Sequence, residues 1–107
     1  MNVYTIYADV KEGVNPKEFV KNMKSFLDAL PTMHDYRITR MKLGFRSMDL
    51  PEFRIDMEFH TMQELDDAMT RVIRNDDEIE TKHVSFNSMV DVETIQHFLY
   101  RDYPDEV

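Results

Sequence analysis

The chain of 107 residues contains no cysteine and no tryptophan, and only two glycines and four prolines. Without cysteine there is no disulfide, no thiolate nucleophile and no cysteine-based metal site. No apolar run is long enough to span a bilayer, and the N-terminus lacks the charged-then-apolar layout of a signal peptide. A cytoplasmic, reducing location is therefore expected. Positive charge is also in short supply: 13 Lys and Arg stand against 21 Asp and Glu, a formal net charge of −8. Nucleic acid and anionic membrane surfaces both need a basic footprint, so neither is expected as a partner. The length suits a single domain over residues 1–107, large enough to hold a core without staples.

What is present is an ordered series of patterns. Residues Asn2 to Asp9 alternate with period two, placing Tyr4, Ile6 and Ala8 on one face and Val3, Thr5 and Tyr7 on the other. Gly13 closes that strand. Asn15, Pro16 and Glu18 then read as N-cap, first helical residue and capping box. Phe19, Val20, Met23, Phe26, Leu27 and Leu30 form the stripe of a helix that Pro31 stops. Strands are expected over Tyr36 to Phe45, with a bulge near Arg40 or Gly44, and over Phe53 to Phe59, joined by a hairpin loop at Arg46 to Pro51. The second of these alternates most sharply: Phe53, Ile55, Met57 and Phe59 against Arg54, Asp56, Glu58 and His60.

Thr61 and Glu64 form a second capping box, opening a helix from Met62 to about Ile73. Asn75 to Asp77 end or bend it, with a short extra turn over Asp76 to Lys82. A fourth strand is expected from His83 to Val90, with Val84, Phe86 and Val90 on the core side. Asp91 then caps a short final helix whose apolar side is Val92, Ile95, Phe98 and Leu99. The core would cover residues 2–90, with a helical extension over 91–107 that frays from Asp102.

The order βαββαβ is that of the ferredoxin-like split βαβ arrangement, an α+β class with a four-stranded antiparallel sheet and two helices on one face. The opposite face is left open. By strand parity it collects Thr5, Tyr7 and Asp9; Arg54, Asp56, Glu58 and His60; Arg37 and Thr39; and His83, Ser85 and Asn87. With these elements, residues 2 to 90 resemble the dimeric α+β barrel superfamily, in an uncharacterised bacterial branch of it. The resemblance implies two ferredoxin-like subunits pairing open face to open face around a cavity. Cofactor-independent monooxygenases, EthD-like proteins and stress-responsive barrel proteins belong to that superfamily. This chain has no tryptophan, and Val3-Tyr4-Thr5-Ile6-Tyr7 lacks the early histidine of the stress-responsive group, so no catalytic residue carries over.

The expectation is thus a homodimer that binds a small polar or aromatic metabolite, with no cofactor and no metal. Whether it is an enzyme is open at this point, with monooxygenase-like or isomerase-like chemistry the candidates. Asp56 or Glu58 would act as base and Tyr7 as hydrogen-bond donor. Arg54, Arg37, Thr5, His83 and Asn87 would contact the ligand. The competing reading is a module without catalysis, whose charged face only pairs subunits through ion pairs of Arg37 and Arg54 with Asp56 and Glu58. Glu58, His60 and His83 share a parity that suits metal ligation, but they come from strands that are not neighbours. An RNA-recognition module, which has the same element order, would need aromatic residues and basic charge where this face carries carboxylates.

Overall fold

The computed structural model describes residues 1–42, 50–73 and 77–104. Its elements are β1 (Asn2–Val10), α1 (Pro16–Ala29), β2 (Asp35–Arg40), β3 (Phe53–Phe59), α2 (Met62–Ile73), α3 (Asp77–Asn87) and β4 (Val90–Arg101). The strands form one sheet in the order β2-β3-β1-β4, every neighbouring pair antiparallel. This is the ferredoxin-like layout, with β1 and β3 central.

Local chemistry sets the helix starts. The Asn15 side chain accepts from the Lys17 amide at 3.0 Å ahead of Pro16, and the Thr61 hydroxyl accepts from the Glu64 amide at 3.1 Å. Each cap satisfies an amide that has no partner inside its helix. The alternation of β3 then decides which way the sheet faces. Phe53, Ile55, Met57 and Phe59 are all buried beneath Phe19, Met23, Phe26 and Leu27 of α1, and Phe19 meets Phe53 at 5.1 Å between ring centroids. A slip of one residue would drive Arg54, Asp56 and Glu58 into that core, so the register is firmly set.

The C-terminal third departs from expectation. Residues 83–87, expected to begin a fourth strand, belong to the helix α3, and the helix expected over 92–100 is instead the strand β4. The third helix thus precedes the last strand instead of following it. Ile79, His83 and Phe86 recur at helical spacing, and Phe86 packs on Phe26 of α1 at 4.8 Å. Val92, Thr94, Ile95, Phe98 and Tyr100 are β-branched or aromatic, the composition of a strand. β4 pairs with β1 from Asn2↔Arg101 to Val10↔Val90, with a bulge between Tyr7 and Asp9. There the Asp9 amide donates to the Thr94 hydroxyl at 2.9 Å, replacing a ladder bond.

Strand β2 ends at Arg40, short of the expected Phe45. Met41 and Lys42 follow it outside any strand; residues 43–49, with Gly44 and the hairpin residues through Asp49, lie outside the described residues, as do residues 74–76 and the chain beyond Pro104. Among the described residues, no helix is long and apolar enough to cross a membrane.

Candidate functional site

Residues paired directly across neighbouring strands turn their side chains to the same face. The three registers therefore lay out the helix-free face as rows. One row holds Asp35, Glu58, Val3 and Tyr100; the next holds Arg37, Asp56, Thr5 and Phe98; the third holds Thr39, Arg54, Tyr7 and Gln96. The face is thus divided. Its β2–β3 half is charged, and its β1–β4 half carries Val3, Tyr7, Phe98 and Tyr100. A hollow of about 600 Å³ opens over the charged half, lined by Val3, Asp35, Arg37, Arg54, Asp56 and Glu58.

Within the face, some groups are committed and others are not. The Asp56 carboxylate accepts the Thr5 hydroxyl at 2.6 Å and the Arg54 Nε–H at 3.0 and 3.1 Å. Thr5 has no exposed surface and forms the floor of the face. The Arg54 guanidinium in turn lies 5.7 Å over the Tyr7 ring. Burial alone would lower the Arg54 pKa, but the hydrogen bond and charge of Asp56, with Tyr7 and Tyr100 adding to them, raise it above its ordinary value. Thr5, Asp56, Arg54 and Tyr7 form one linked chain. By contrast, no hydrogen bond or ion pair engages the side chains of Arg37 and Glu58 or the hydroxyl of Tyr7 among the described residues. Arg37 and Glu58 nevertheless line the same hollow.

The structure therefore sorts the expected site residues. Arg37, Arg54, Asp56, Glu58 and Thr5 come together. Tyr7 shares their face but lies two rows from Glu58, about 14 Å along the strands. His83 and Asn87 do not belong to the site at all. They lie on α3, in the helix layer, where His83 sits edge-on to Phe26 and Phe86 at 5.4 and 5.1 Å. Burial there lowers its pKa. Ser85 moves with them. Asp9 is also occupied, since its carboxylate accepts the Glu52 amide at 2.7 Å.

His60 follows the end of β3 and pairs with His34 rather than with Glu58, Nε2 to Nδ1 at 3.0 Å. Among the described residues, no three His, Asp or Glu side chains are placed to hold a metal ion. Phe98 and Tyr100 are what sequence reasoning missed. They are 40% and 50% exposed, and Phe98 meets Tyr7 edge to face at 6.0 Å. The alternation Val92, Thr94, Gln96, Phe98, Tyr100 was the signal that could have found them.

A second hollow, of about 370 Å³, lies between α1 and β2 over Val20, Ile38 and Phe53, with Lys17 and Lys24 on its rim. It contains no carboxylate or imidazole.

The profile of a family described as "Family of unknown function (DUF6614)" matches residues 1–107. The sequence matches no curated protein. Among solved structures the chain is similar to an Arabidopsis thaliana protein, at 11% identity and a TM-score of 0.77, covering 100% of both chains. It is also similar to a DABB family protein with a ferredoxin-like fold from Mesorhizobium loti, at 20% identity and a TM-score of 0.65, over 94% of this chain and 95% of that one. A third is the hydroxynitrile lyase of Passiflora edulis, at 11% identity and a TM-score of 0.69, over 99% and 96%. Further similar structures are described as dimeric ferredoxin-like proteins of unknown function. At these identities the likeness is one of fold.

Proposed function

The chain belongs to this family of unknown function, and from that premise we propose that it works as a homodimer whose open sheet faces enclose a small-molecule cavity. The observation that carries the reading is the divided face. Phe98 and Tyr100 stand half-exposed on a sheet surface that no helix covers, beside a hollow holding an unengaged Arg37 and Glu58. Exposed aromatic residues beside polar ones are the composition of an interface or a ligand site. The dimeric relatives of the same fold support the second copy as the cover. A cytoplasmic setting is part of the same proposal.

Within the cavity, Glu58 is the base, because the Asp56 carboxylate is already held by Thr5 and Arg54. In an isomerase-like step on an unsaturated carbonyl ligand, Glu58 takes a proton from the carbon between the carbonyl and a C=C bond, and the C–H electron pair spreads over both as a dienolate. Glu58 then returns the proton to the far carbon of that C=C, the double bond shifts toward the carbonyl, and the C=O re-forms. Tyr7 is too far from Glu58 to act on the same atom, so its hydroxyl holds a second group of the ligand. That a related fold carries a lyase in Passiflora edulis is compatible with chemistry on this scaffold.

The test is native mass spectrometry of the protein purified from its own cells. A mass near twice 12.8 kDa with a retained small molecule is expected. A dimer that holds nothing, and that binds nothing from a broad metabolite panel, would leave only the module without catalysis. That second reading has an observation of its own: in a two-fold dimer the unengaged Arg37 and Glu58 can pair reciprocally between subunits. It requires that Glu58→Gln loosen the dimer.

A further inference from the structure

The hollow between α1 and β2 has the opposite charge to the chain as a whole. Val20, Ile38 and Phe53 form its floor, Lys17, Lys24 and Arg40 stand around it, and no carboxylate lines it. Arg40 is already matched: its Nε–H pairs with Glu52 at 2.5 Å, and its guanidinium lies 5.6 Å over the Phe53 ring at one end of the hollow. Asp28 marks the other end, a turn beyond Lys24, where it keeps its charge and accepts the Tyr36 hydroxyl at 2.7 Å. The ammonium groups of Lys17 and Lys24 have no ion pair or hydrogen bond among the described residues. Of the other charges on α1, Lys21 and Glu18 lie about 100° and 160° round the helix from Val20, turned away from β2. On the side of α1 that faces β2, cations therefore outnumber carboxylates even with Asp28 and Glu52 counted.

The edge of the sheet adds donors. β2 is an outer strand, and the Met41 amide bonds the Glu52 carbonyl at 2.8 Å, which sets the phase of its ladder with β3. The amides of Arg37 and Thr39 then turn toward β3, and those of Ile38 and Arg40 turn outward. The Tyr36 amide has the same outward phase and takes the Asp35 carboxylate at 2.8 Å in place of a strand partner. No acceptor engages the amides of Ile38 and Arg40 among the described residues. Thr39 also lines the hollow, so the hollow reaches this edge.

We propose that this hollow is a second ligand site, separate from the open face, for a small amphipathic anion: an apolar chain or ring ending in a carboxylate. The apolar part lies on Val20, Ile38 and Phe53. The carboxylate takes the ammonium of Lys17 or Lys24 and the outward amides of Ile38 and Arg40. A cation would meet two lysines there, and a neutral apolar molecule would leave lysines and amides unused. The volume of about 370 Å³ lies at the lower end of the range of about 300–1,000 Å³ for small-molecule sites.

The experiment is a titration of the 15N-labelled full-length protein, read by amide chemical shifts, with octanoate, octylammonium and butyrate. Octanoate should shift Val20, Lys24, Ile38 and Arg40 and leave Phe98 and Tyr100 in place. It should bind at least about tenfold more tightly than butyrate, which lacks most of the apolar chain, and than octylammonium, which reverses the charge. The double variant Lys17→Gln, Lys24→Gln should weaken octanoate at least about fivefold; both side chains are surface groups, and circular dichroism checks the fold. Equal binding of octanoate and octylammonium, no shift at millimolar octanoate, or shifts confined to β4 overturns the site and leaves the open-face cavity standing. An acetylated tetrapeptide of alternating glutamate and valine that moves the same amides at lower concentration than octanoate makes the edge a docking strand for a protein partner and overturns the free anion. If those amides move when the ligand-free protein is diluted, a second copy covers the edge, and the ligand is overturned in that case also.

Discussion

Thr5 shows how much one small side chain decides on this face. It is fully buried although it lies on the side of the sheet that carries no helix, and its hydroxyl donates to Asp56 at 2.6 Å. That bond fixes the carboxylate that fixes Arg54, whose guanidinium lies over Tyr7. Thr5→Val keeps the shape and removes the donor. It should cost about 1.5–3 kcal/mol in urea unfolding, the loss expected for a buried hydrogen bond to a charged group. Glu58→Gln, at a side chain with no hydrogen-bond or ion-pair partner among the described residues, should leave the unfolding free energy within about 0.5 kcal/mol of the parent. A large loss from Glu58→Gln together with none from Thr5→Val would reverse the division between committed and uncommitted groups. The same division explains what the sequence could disclose. Parity alone brought Arg37, Arg54, Asp56, Glu58 and Thr5 onto one face. It could not tell that Asp56 is engaged and Glu58 is not, because that depends on hydrogen bonds between strands far apart in the chain.

At the scale of elements, β1, α1, β3 and α2 were legible because each combines one clear periodicity with a cap or stop. The last two elements were not. Residues 83–90 read His-Val-Ser-Phe-Asn-Ser-Met-Val, which alternates as well as a strand does. The helical spacing of Ile79, His83 and Phe86 becomes visible only when the window starts earlier, and packing against Phe26 then selects it. Exchanging strand for helix moved His83 and Asn87 off the face and brought Phe98 and Tyr100 onto it.

This assignment has two measurable consequences. Phe86→Ala should lower stability by about 3–5 kcal/mol in urea unfolding, the usual loss for a buried phenylalanine. An exposed edge strand at this position would lose far less. His83 supplies the second. Burial lowers its pKa in the folded protein, so near and below pH 6.5 the unfolded chain binds the proton more readily. Stability should therefore be at its full value above pH 6.5 and decline as pH falls below it, levelling off once the folded imidazole is also charged. His83→Leu should flatten that decline in thermal melts between pH 7 and 5; an unchanged slope would show that other groups cause it.

On the scale of the whole molecule, charge and apolar surface pull in opposite directions. Each copy carries a formal net charge of −8, so two copies repel at long range. At about 0.1 M salt that repulsion is screened beyond roughly 10 Å, and association should tighten as salt rises. What attracts is local: Phe98 and Tyr100 lie on the helix-free face and outside the core cluster, so they contribute little to folding one copy. Phe98→Glu therefore separates folding from pairing. A two-fold interface uses each residue twice, and burying the 40% of Phe98 that one copy leaves exposed contributes about 0.6–1.2 kcal/mol per copy. The substitution should thus weaken the dimer by about 1–2 kcal/mol from lost burial, roughly tenfold in dissociation constant, and by more for the two carboxylates it would bury. In sedimentation at micromolar concentration the parent should run near twice 12.8 kDa and the variant near 12.8 kDa, with unchanged far-ultraviolet circular dichroism. If the variant stays dimeric, the subunits meet elsewhere, for example along the free edge of β2 or β4. The divided face would then be open to solvent, and neither Arg37 nor Glu58 would need a counter-charge.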